Sequence, residues 1–236
     1  TLRAEIIIER LSVTPPIATI CKGQGAELKA SGADYYEWDK NLGLGAEKTV
    51  FPLTTTEYSV TGITKNGCIA KGIAKVTVLE PPQLTVQSNV PCEGESLRLQ
   101  AESNEQVSFS WRGPNAFEST NQNPTLPYSS VAMNGSYSVE ATSTNGCKNS
   151  STIQVTIKPK PDITTSHTNA CEEGEVSLRV FPAGLSYNWQ GPEGFTSTQQ
   201  YITRTPVAPT MTGVYTVIGK NTYNCYDTAS FNLEVY

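Results

Sequence analysis

Six cysteines are the residues whose type and spacing most directly predict chemistry. In chain order they form three pairs: Cys21/Cys68, Cys92/Cys147 and Cys171/Cys225. Successive first cysteines are 71 and 79 residues apart, and successive second cysteines are 79 and 78 residues apart. An even number of regularly spaced cysteines in a chain with one histidine is typical of a disulfide framework formed in an oxidising compartment.

Other candidates for chemistry are weaker. His167 has no neighbouring Cys, Asp or second His, so we expect a solvated surface residue rather than a metal ligand. The acidic turns Glu93–Glu95 and Glu172–Glu175 lack the Asp-x-Asp series of a calcium loop, and we interpret them as turns beside a disulfide. Nucleophile-elbow, zinc-protease and phosphate-loop motifs are not found in the sequence. We therefore predict no catalytic residue, no metal, no cofactor and no enzymatic activity.

Tyrosine is more frequent than three small cores require. Tyrosines on loops can stack on sugars, whereas tyrosines that alternate into sheets are structural. The sequence allows either role, sugar contact or sheet packing, for seven residues: Tyr35, Tyr36, Tyr128, Tyr187, Tyr201, Tyr223 and Tyr226.

A threefold repeat carries the cysteines. Each cysteine pair encloses one tryptophan, at 17, 19 and 18 residues after its first cysteine, and one tyrosine that always lies 10 residues before its second cysteine. The markers are Trp38, Trp111 and Trp189, with Tyr58, Tyr137 and Tyr215. Three independent markers in a constant order indicate an internal repeat of one structural unit.

The repeats have the pattern of β-strands. In the second repeat Leu97, Leu99 and Ala101 alternate with polar residues, which is typical of a half-buried strand. Asn66-Gly67 and Asn145-Gly146 predict tight type I′ hairpin turns. The third repeat has Tyr223-Asn224 at this place, so we expect its loop to differ. No window shows a helical period.

Short strands with a central tryptophan and a late tyrosine favour a small sandwich of immunoglobulin type. The tryptophans are predicted to fill the space between the sheets, and the tyrosines to begin a late strand. Antibody domains place a core cysteine two residues after this tyrosine, but here Val60, Val139 and Val217 stand there. We therefore expect the cysteines at the ends of each sandwich.

Proline-containing segments mark the repeat boundaries. Pro81-Pro82 and Pro159-Lys160-Pro161 divide the chain into repeats at 9–80, 81–159 and 160–236. Residues 1–8 match the end of a repeat and are predicted to be the last strand of a preceding one; a strand donated to another subunit is the alternative. The fold class is all-β, with three tandem immunoglobulin-like β-sandwiches in an elongated array.

These motifs resemble the tandem Ig-like and PKD-like repeats of Bacteroidota cell-surface proteins of the gliding-adhesin type. The second and third repeats carry the resemblance best, through Trp111-Arg-Gly-Pro114 with Phe117 and Trp189-Gln-Gly-Pro192 with Phe195. The first repeat lacks this Gly-Pro. The resemblance implies a bacterial surface filament or adhesin, and it implies that Asp227-Thr228-Ala229 is an O-glycosylation site at Thr228. It also implies no use of the N-glycosylation patterns at Asn134 and Asn149.

Strand geometry favours disulfides between repeats. In immunoglobulin topology the first and last strands run in the same direction. The first cysteine then ends one strand at the bottom of a repeat, while the second begins the other at its top. We predict bonds Cys21–Cys147 and Cys92–Cys225, with Cys68 and Cys171 unpaired or bonded to neighbouring repeats outside this stretch. Pairing within each repeat (Cys21–Cys68, Cys92–Cys147, Cys171–Cys225) is the alternative if the topology differs.

Composition limits the functional classes. Acidic residues exceed basic ones, 22 against 17, which argues against binding nucleic acid or an anionic membrane surface. No apolar run is long enough to cross a bilayer. We expect an extracellular, outer-membrane-associated segment that acts as a stalk or spacer of an adhesin or filament. Its expected partners are neighbouring repeats, surface glycans or other surface proteins. An accessory carbohydrate-binding module of a secreted hydrolase is the alternative.

Overall fold

The computed structural model describes residues 11–236, in which strands predominate and the helices are three short 3-10 turns. The predicted all-β class is therefore confirmed. The chain forms two compact units. One comprises the described residues up to Thr85, Ser103–Phe109 and Glu140–Ser150, and the other comprises Val86–Glu102, Ser110–Val139 and Ser151–Tyr236. The prediction for residues 1–8 falls outside the described residues.

Eight strands of the first unit build one sandwich. They are β1 (Ser12–Thr14), β2 (Ile17–Cys21), β3 (Ala26–Ser31), β4 (Tyr35–Trp38), β5 (Gly43–Leu44), β6 (Glu47–Val50), β7 (Thr56–Ile63) and β8 (Ile69–Leu79). The sheets have the orders β1-β3-β6 and β2-β8-β7-β4-β5. Strand β2 runs parallel to β8, from Ile17 beside Lys75 to Cys21 beside Leu79. This parallel pairing of an early strand with the last one is the predicted immunoglobulin topology.

The core of this sandwich follows from alternation. In β3, Ala26, Leu28 and Ala30 are buried between exposed residues. In β8, Ala74 and Val76 are buried, while Lys75 between them and Ile73 before them are exposed. Because side chains alternate across a strand, each strand places one apolar row between the sheets.

Seven strands follow. They are β9 (Leu84–Ser88), β10 (Leu97–Ser103), β11 (Val107–Gly113), β12 (Phe117–Ser119), β13 (Thr125–Leu126), β14 (Gly135–Ser143) and β15 (Lys148–Val155). They form sheets of order β13-β10-β9 and β12-β11-β14-β15. Leu97, Leu99 and Ala101 are buried and Arg98 and Gln100 are exposed, as the alternation predicts.

The last seven strands lie in the second unit. They are β16 (Thr164–His167), β17 (Val176–Phe181), β18 (Ser186–Gly191), β19 (Phe195–Ser197), β20 (Tyr201–Arg204), β21 (Gly213–Lys220) and β22 (Tyr226–Leu233). Their sheets have the orders β16-β17-β20 and β19-β18-β21-β22. Leu178, Trp189, Tyr215 and Val217 are fully buried in the core of this sandwich.

The prediction of type I′ turns at the hairpin tips was wrong. In the first tip the Gly67 amide donates to the Thr64 carbonyl (2.9 Å), and the Thr64 amide donates to the Cys68 carbonyl (3.0 Å). Lys65 and Asn66 are therefore the central residues of the turn, and Gly67 follows it with a φ of 78°. A three-residue loop of this kind combines a type I turn with a left-handed residue, so the Asn-Gly pair lies one position later than a type I′ turn requires.

The expectation of a different third loop was also wrong. Here the Asn224 amide donates to the Asn221 carbonyl (3.1 Å), and the Asn221 amide donates to the Cys225 carbonyl (2.9 Å). Asn224 takes the left-handed position with a φ of 66°. Asparagine adopts this conformation more readily than most residues with a side chain, so it preserves the loop where glycine is missing.

Candidate functional site

The first disulfide links Cys21 to Cys147, with Cα atoms 5.6 Å apart. Cys21 is the last residue of β2, and the amide of the following Lys22 donates to the Leu79 carbonyl (2.9 Å), at the end of β8. Cys147 is buried and follows the hairpin tip between β14 and β15. The bond thus joins the end of one sequence repeat to the tip loop of the next.

The second disulfide links Cys92 to Cys225, again with Cα atoms 5.6 Å apart. Cys92 forms an isolated parallel bridge with Lys158, and the Glu93 amide donates to the Lys158 carbonyl (2.8 Å). Cys225 is fully buried at the tip between β21 and β22. Both bonds are the pairs that the strand topology predicts, and both join the same two positions of successive repeats.

Side chains fix the backbone of the tip cysteines. In each tip loop the residue four positions before the cysteine accepts a hydrogen bond from the cysteine amide at 3.1 Å. The acceptors are the hydroxyls of Thr64 and Ser143 and the amide oxygen of Asn221. Sequence reasoning missed this role, although a short polar side chain at this spacing in all three repeats was the available signal.

A second polar contact fixes the other cysteine of each bond. The Cys21 amide donates to the side chain of Gln24 (3.2 Å), and the Cys92 amide donates to the carboxylate of Glu95 (2.8 Å). The acidic residue at this turn therefore closes the turn itself. Glu95 therefore has the turn role that its place beside the disulfide cysteine predicts.

Two within-repeat alternatives do not fit this fold. Cys21 lies beside Leu79 at the end of β8, whereas Cys68 directly precedes Ile69 at its start. Ten residue steps of about 3.3 Å separate these ends, or about 33 Å, and a disulfide needs Cα atoms within about 7 Å. Cys171 and Cys225 are separated in the same way, because Ala170 bridges Val235 beyond one end of β22 and Cys225 precedes its other end.

Further polar contacts lie beside each disulfide. Near the first, the Asn149 side chain donates to the Pro82 carbonyl (2.8 Å) and the Gln83 amide donates to Asn104 (2.8 Å). Near the second, the Asn221 side chain donates to the Pro159 carbonyl (2.8 Å). The sequence offered no spacing signal for these contacts. The Asn149 and Asn221 bonds tie the proline segments between repeats to the tip hairpins, and the Gln83 bond reaches the loop between β10 and β11.

Charged and aromatic groups add to the second junction. The Lys158 ammonium lies 4.9 Å from the centre of the Tyr223 ring, within range of a cation–π interaction. The Lys160 ammonium lies 3.5 Å from the Asp227 carboxylate. Both pairs are partly exposed, so we expect each to contribute less than about 1 kcal/mol.

Cys68 and Cys171 have free thiols and are exposed. Cys68 occupies the tip position that Cys147 and Cys225 hold in the other repeats, and Cys171 occupies the turn position of Cys21 and Cys92. These two cysteines are therefore equivalent to the bonded ones.

The three marker tryptophans are buried, with 3%, 0% and 0% of Trp38, Trp111 and Trp189 exposed. Each indole nitrogen donates to a main-chain carbonyl: Trp38 to Gly45 (2.9 Å), Trp111 to Gln122 (3.2 Å) and Trp189 to Gln199 (2.9 Å). A buried indole whose only polar atom is satisfied is a core residue and offers no ring face to a ligand.

The marker tyrosines Tyr58, Tyr137 and Tyr215 are also buried, and Val60, Val139 and Val217 are buried two residues later. The Tyr137 hydroxyl donates to the Met133 carbonyl (3.1 Å), and the Tyr215 hydroxyl donates to the Met211 carbonyl (3.2 Å). Burial raises the pKa of Tyr137 and is also the main cause that raises the pKa of Tyr215, which the Arg204 guanidinium partly offsets.

The prediction of a solvated His167 was wrong. Its ring is half-buried in β16 and stacks on Phe231, with ring centres 4.1 Å apart and planes 11° apart. The Phe231 ring lies parallel to that of Tyr215, with ring centres 5.7 Å apart. The first strand of this sandwich therefore packs its histidine over the edge of the aromatic core.

Other candidate sites are placed as follows. Within residues 11–236, no group of three or more His, Cys, Asp or Glu side chains is arranged to hold a metal ion. Thr228 is exposed on β22. The Asn134 side chain accepts from the Ile157 amide (2.5 Å), and the Asn149 side chain makes the Pro82 contact, so both asparagines have structural bonds.

The seven candidate sugar-contacting tyrosines do not form one group. Tyr187 is buried and donates its hydroxyl to the Pro182 carbonyl, and Tyr36 is half-buried and donates to the Ala33 carbonyl (2.7 Å). For these two the structural interpretation holds, because both point into sandwich interiors. The exposed members are Tyr35, Tyr128, Tyr201, Tyr223 and Tyr226.

No helix within residues 11–236 is long and apolar enough to cross a membrane. No protein-family model matches the chain, and no curated protein matches it significantly.

Solved structures do match. The chain is similar to the eight N-terminal Ig domains of Down Syndrome Cell Adhesion Molecule, with 12% identity and a TM-score of 0.50 over 96% of this chain. It spans about a third (36%) of that longer chain. It is also similar to three N-terminal domains of the bacteriophage RB49 outer capsid protein Hoc, with 15% identity, a TM-score of 0.38, and coverage of 96% of this chain and 99% of that one. At this identity the likeness concerns the fold alone, and the chain has a fold of tandem immunoglobulin-type β-sandwiches.

Proposed function

We propose that this chain is a non-enzymatic segment of a bacterial cell-surface adhesin or filament, exposed outside the outer membrane. Its role is that of a spacer that carries mechanical load between other parts of a longer protein. The single observation that carries the proposal is the pair of disulfides that join successive sequence repeats, Cys21–Cys147 and Cys92–Cys225.

The physical basis is the covalent path along which force is transmitted. A disulfide within one repeat leaves the connection to the next repeat to a short proline segment. A disulfide from one repeat to the next gives tension a second covalent route beside that segment. The buried tip cysteines Cys147 and Cys225, with amides capped by Ser143 and Asn221, support a rigid attachment.

The proposed partners are first of all further repeats of the same kind. We infer that Cys68 pairs with the turn cysteine of a preceding repeat, and that Cys171 pairs with the tip cysteine of a following one. Their exposure and their positions, equivalent to those of bonded cysteines, support this inference. The resemblance to gliding-adhesin repeats supports a role in surface motility and in contact with glycans or other surface proteins.

Pulling single molecules by their two ends tests the proposal. When both disulfides are intact, the shortest covalent path bypasses most of the chain, so the reduced chain should stretch about 50 nm further than the oxidised one, at about 3.5 Å per residue. Cys68→Ser is the matched control and should keep the short extension, because its thiol is free here. Equal extension before and after reduction would refute the disulfide-stiffened spacer.

The carbohydrate-binding module remains the second candidate because five tyrosines are exposed. Two of them lie on different sheets of one sandwich, Tyr201 on β20 and Tyr226 on β22, so they do not form one platform. Pull-down on insoluble polysaccharide separates the candidates. Retention that is lost in Tyr226→Ala or Tyr201→Ala supports the module, whereas no retention supports the spacer.

A further inference from the structure

The outer face of the five-stranded sheet in the first unit carries several exposed apolar side chains beside charged ones. This first outer face consists of the outward side chains of β2, β8, β7, β4 and β5. Its large apolar members are highly exposed: Tyr35 (64%), Ile69 (67%) and Ile73 (62%), with Leu44 and Ile17 exposed to a similar degree. Isolated exposed apolar residues are ordinary, but a group on one sheet face indicates an interaction surface.

The other two repeats provide an internal comparison. Counted from the tip cysteine and the tryptophan, Tyr35, Ile69 and Ile73 correspond to Ser108, Lys148 and Thr152 in the second repeat. In the third repeat they correspond to Ser186, Tyr226 and Ser230. All six of these counterparts are exposed, and five of them are polar or charged. The sandwich fold therefore does not require apolar residues at these three positions, although the third repeat exposes Val214, Ile218 and Tyr226 on its corresponding sheet.

Strand register arranges the face in rows. Tyr35 on β4 lies opposite Ile63 on β7, which lies opposite Ile69 on β8. The next row, two residues further along the same three strands, consists of Glu37, Thr61 and Lys71. Strand β7 is central in both rows, so the apolar row has Tyr35 on one side and Ile69 on the other. The charged row likewise has Glu37 and Lys71 on opposite sides.

We propose that the first outer face pairs with the same face of a second copy of the chain. A two-fold axis along β7 places β8 of one copy over β4 of the other. Ile69 then meets Tyr35 of the second copy, Lys71 meets Glu37 of the second copy, and Ile63 meets its own counterpart. Each of these contacts occurs twice, as an isologous interface requires.

The charges of Lys71 and Glu37 favour this occupant, although Glu57 on β7 meets its own counterpart on the axis. Lys71 and Glu37 lie about 10 Å apart within one copy, two strand spacings of about 4.8 Å, so neither neutralises the other closely. Across the two-fold axis they form two opposite-charge pairs beside an apolar row. The preceding repeat is not the occupant, since at the internal junctions the contacts to the tip loops involve Asn149, Asn221 and Tyr223 rather than this face.

The size of the face predicts a weak complex. A standard stable interface buries about 800 Å² on each partner, and about six side chains bury less than that. We expect a dissociation constant on the order of 0.1–1 mM. Many copies on one surface make such contacts effective, because linked weak contacts gain avidity.

Analytical ultracentrifugation of the full chain at about 10 μM to 1 mM measures self-association and tests the proposal. This concentration range includes the expected dissociation constant. The variants Cys68→Ser and Cys171→Ser serve as background, so that thiol oxidation does not contribute. Self-association is expected, and Lys71→Glu or Glu37→Lys alone should each weaken it about tenfold or more, because like charges then face each other twice. The double variant K71E/E37K restores opposite charges and should return to within about threefold of the parent.

The matched control is Ser150→Glu, since Ser150 is the exposed equivalent of Lys71 in the second repeat and should leave association unchanged. Absence of self-association at the highest concentration overturns the proposal, as does a double variant no stronger than the single ones. None of these outcomes depends on the disulfides, so the spacer proposal stands or falls separately.

Discussion

The Cα atoms of Cys92 and Cys225 lie 5.6 Å apart although 133 residues separate them along the chain. Cys21 and Cys147 repeat this relationship with the same Cα separation across 126 residues. Because the same two repeat positions are bonded in both cases, the bonds are a property of the repeat rather than of one site. Long closed loops are also those in which a cross-link restricts the unfolded chain most, by about 4–5 kcal/mol in the chain-entropy model.

Removal of the second tryptophan should unfold its sandwich. Trp111 is fully buried and its indole is bonded to the Gln122 carbonyl. Replacing a large buried aromatic residue by alanine costs about 3–5 kcal/mol, a large part of the stability of a small domain. We expect Trp111→Ala to lower the midpoint of urea unfolding strongly, whereas Arg112→Ala, at an exposed neighbour, should not. A stable Trp111→Ala variant would contradict the core assignment.

The hydrogen bond from the Cys147 amide to the Ser143 hydroxyl should contribute measurably to the stability of the fold. In Ser143→Ala the Cys147 amide loses its side-chain acceptor in a buried place, and a buried unsatisfied donor costs about 1–3 kcal/mol. The neighbouring Thr144 is exposed, so Thr144→Ala is the control. Urea unfolding under oxidising conditions measures both variants, and equal stability of the two would show that the 3.1 Å contact has no energetic role.

The free energy of unfolding should depend on which residue occupies position 224 in the third tip loop. Asn224 has a φ of 66°, and a β-branched residue there is disfavoured by about 1–2 kcal/mol. We expect Asn224→Val to lower the free energy of unfolding by this amount, while Asn224→Gly leaves it unchanged or slightly higher. If valine and glycine behave alike in thermal melts, the left-handed conformation is not the native one.

Alkaline pH should destabilise the fold through Tyr137. Burial raises the pKa of its phenol above the ordinary value of 10.0. The folded state therefore holds the proton more tightly than the unfolded state. The contribution to stability is fully present below pH 10 and is lost as the pH rises through the higher folded pKa. Unfolding followed from pH 9 to 12 should show this loss.

The phenylalanine variant is the control for this pH effect. Tyr137→Phe should reduce the loss of stability above pH 10, whereas Tyr128→Phe should not, because Tyr128 is exposed. Identical pH profiles for Tyr137→Phe and the parent would contradict a buried phenol.

Alternation and topology made much of the fold predictable. The period of two in Leu97, Leu99 and Ala101 settles which face of β10 is buried, because a one-residue shift would expose all three. The parallel direction of first and last strands follows from the topology, and it places Cys21 and Cys68 at opposite ends of β8.

Local detail was less predictable. Asn66-Gly67 suits two kinds of loop, and only the pairing of Thr64 with Cys68 selects the longer one. His167 has no sequence signal for burial, because its environment comes from Phe231 on another strand. Tyr187 did have one, since it lies two residues before the core residue Trp189 on the same strand. The first outer face was likewise invisible, since its rows depend on the register of three strands.

Mass spectrometry of the unreduced, alkylated and proteolysed chain identifies which cysteines are bonded to each other. We expect peptides linked through Cys21–Cys147 and Cys92–Cys225, together with alkylated Cys68 and Cys171. A peptide linked through Cys92–Cys147 would contradict the connection between repeats.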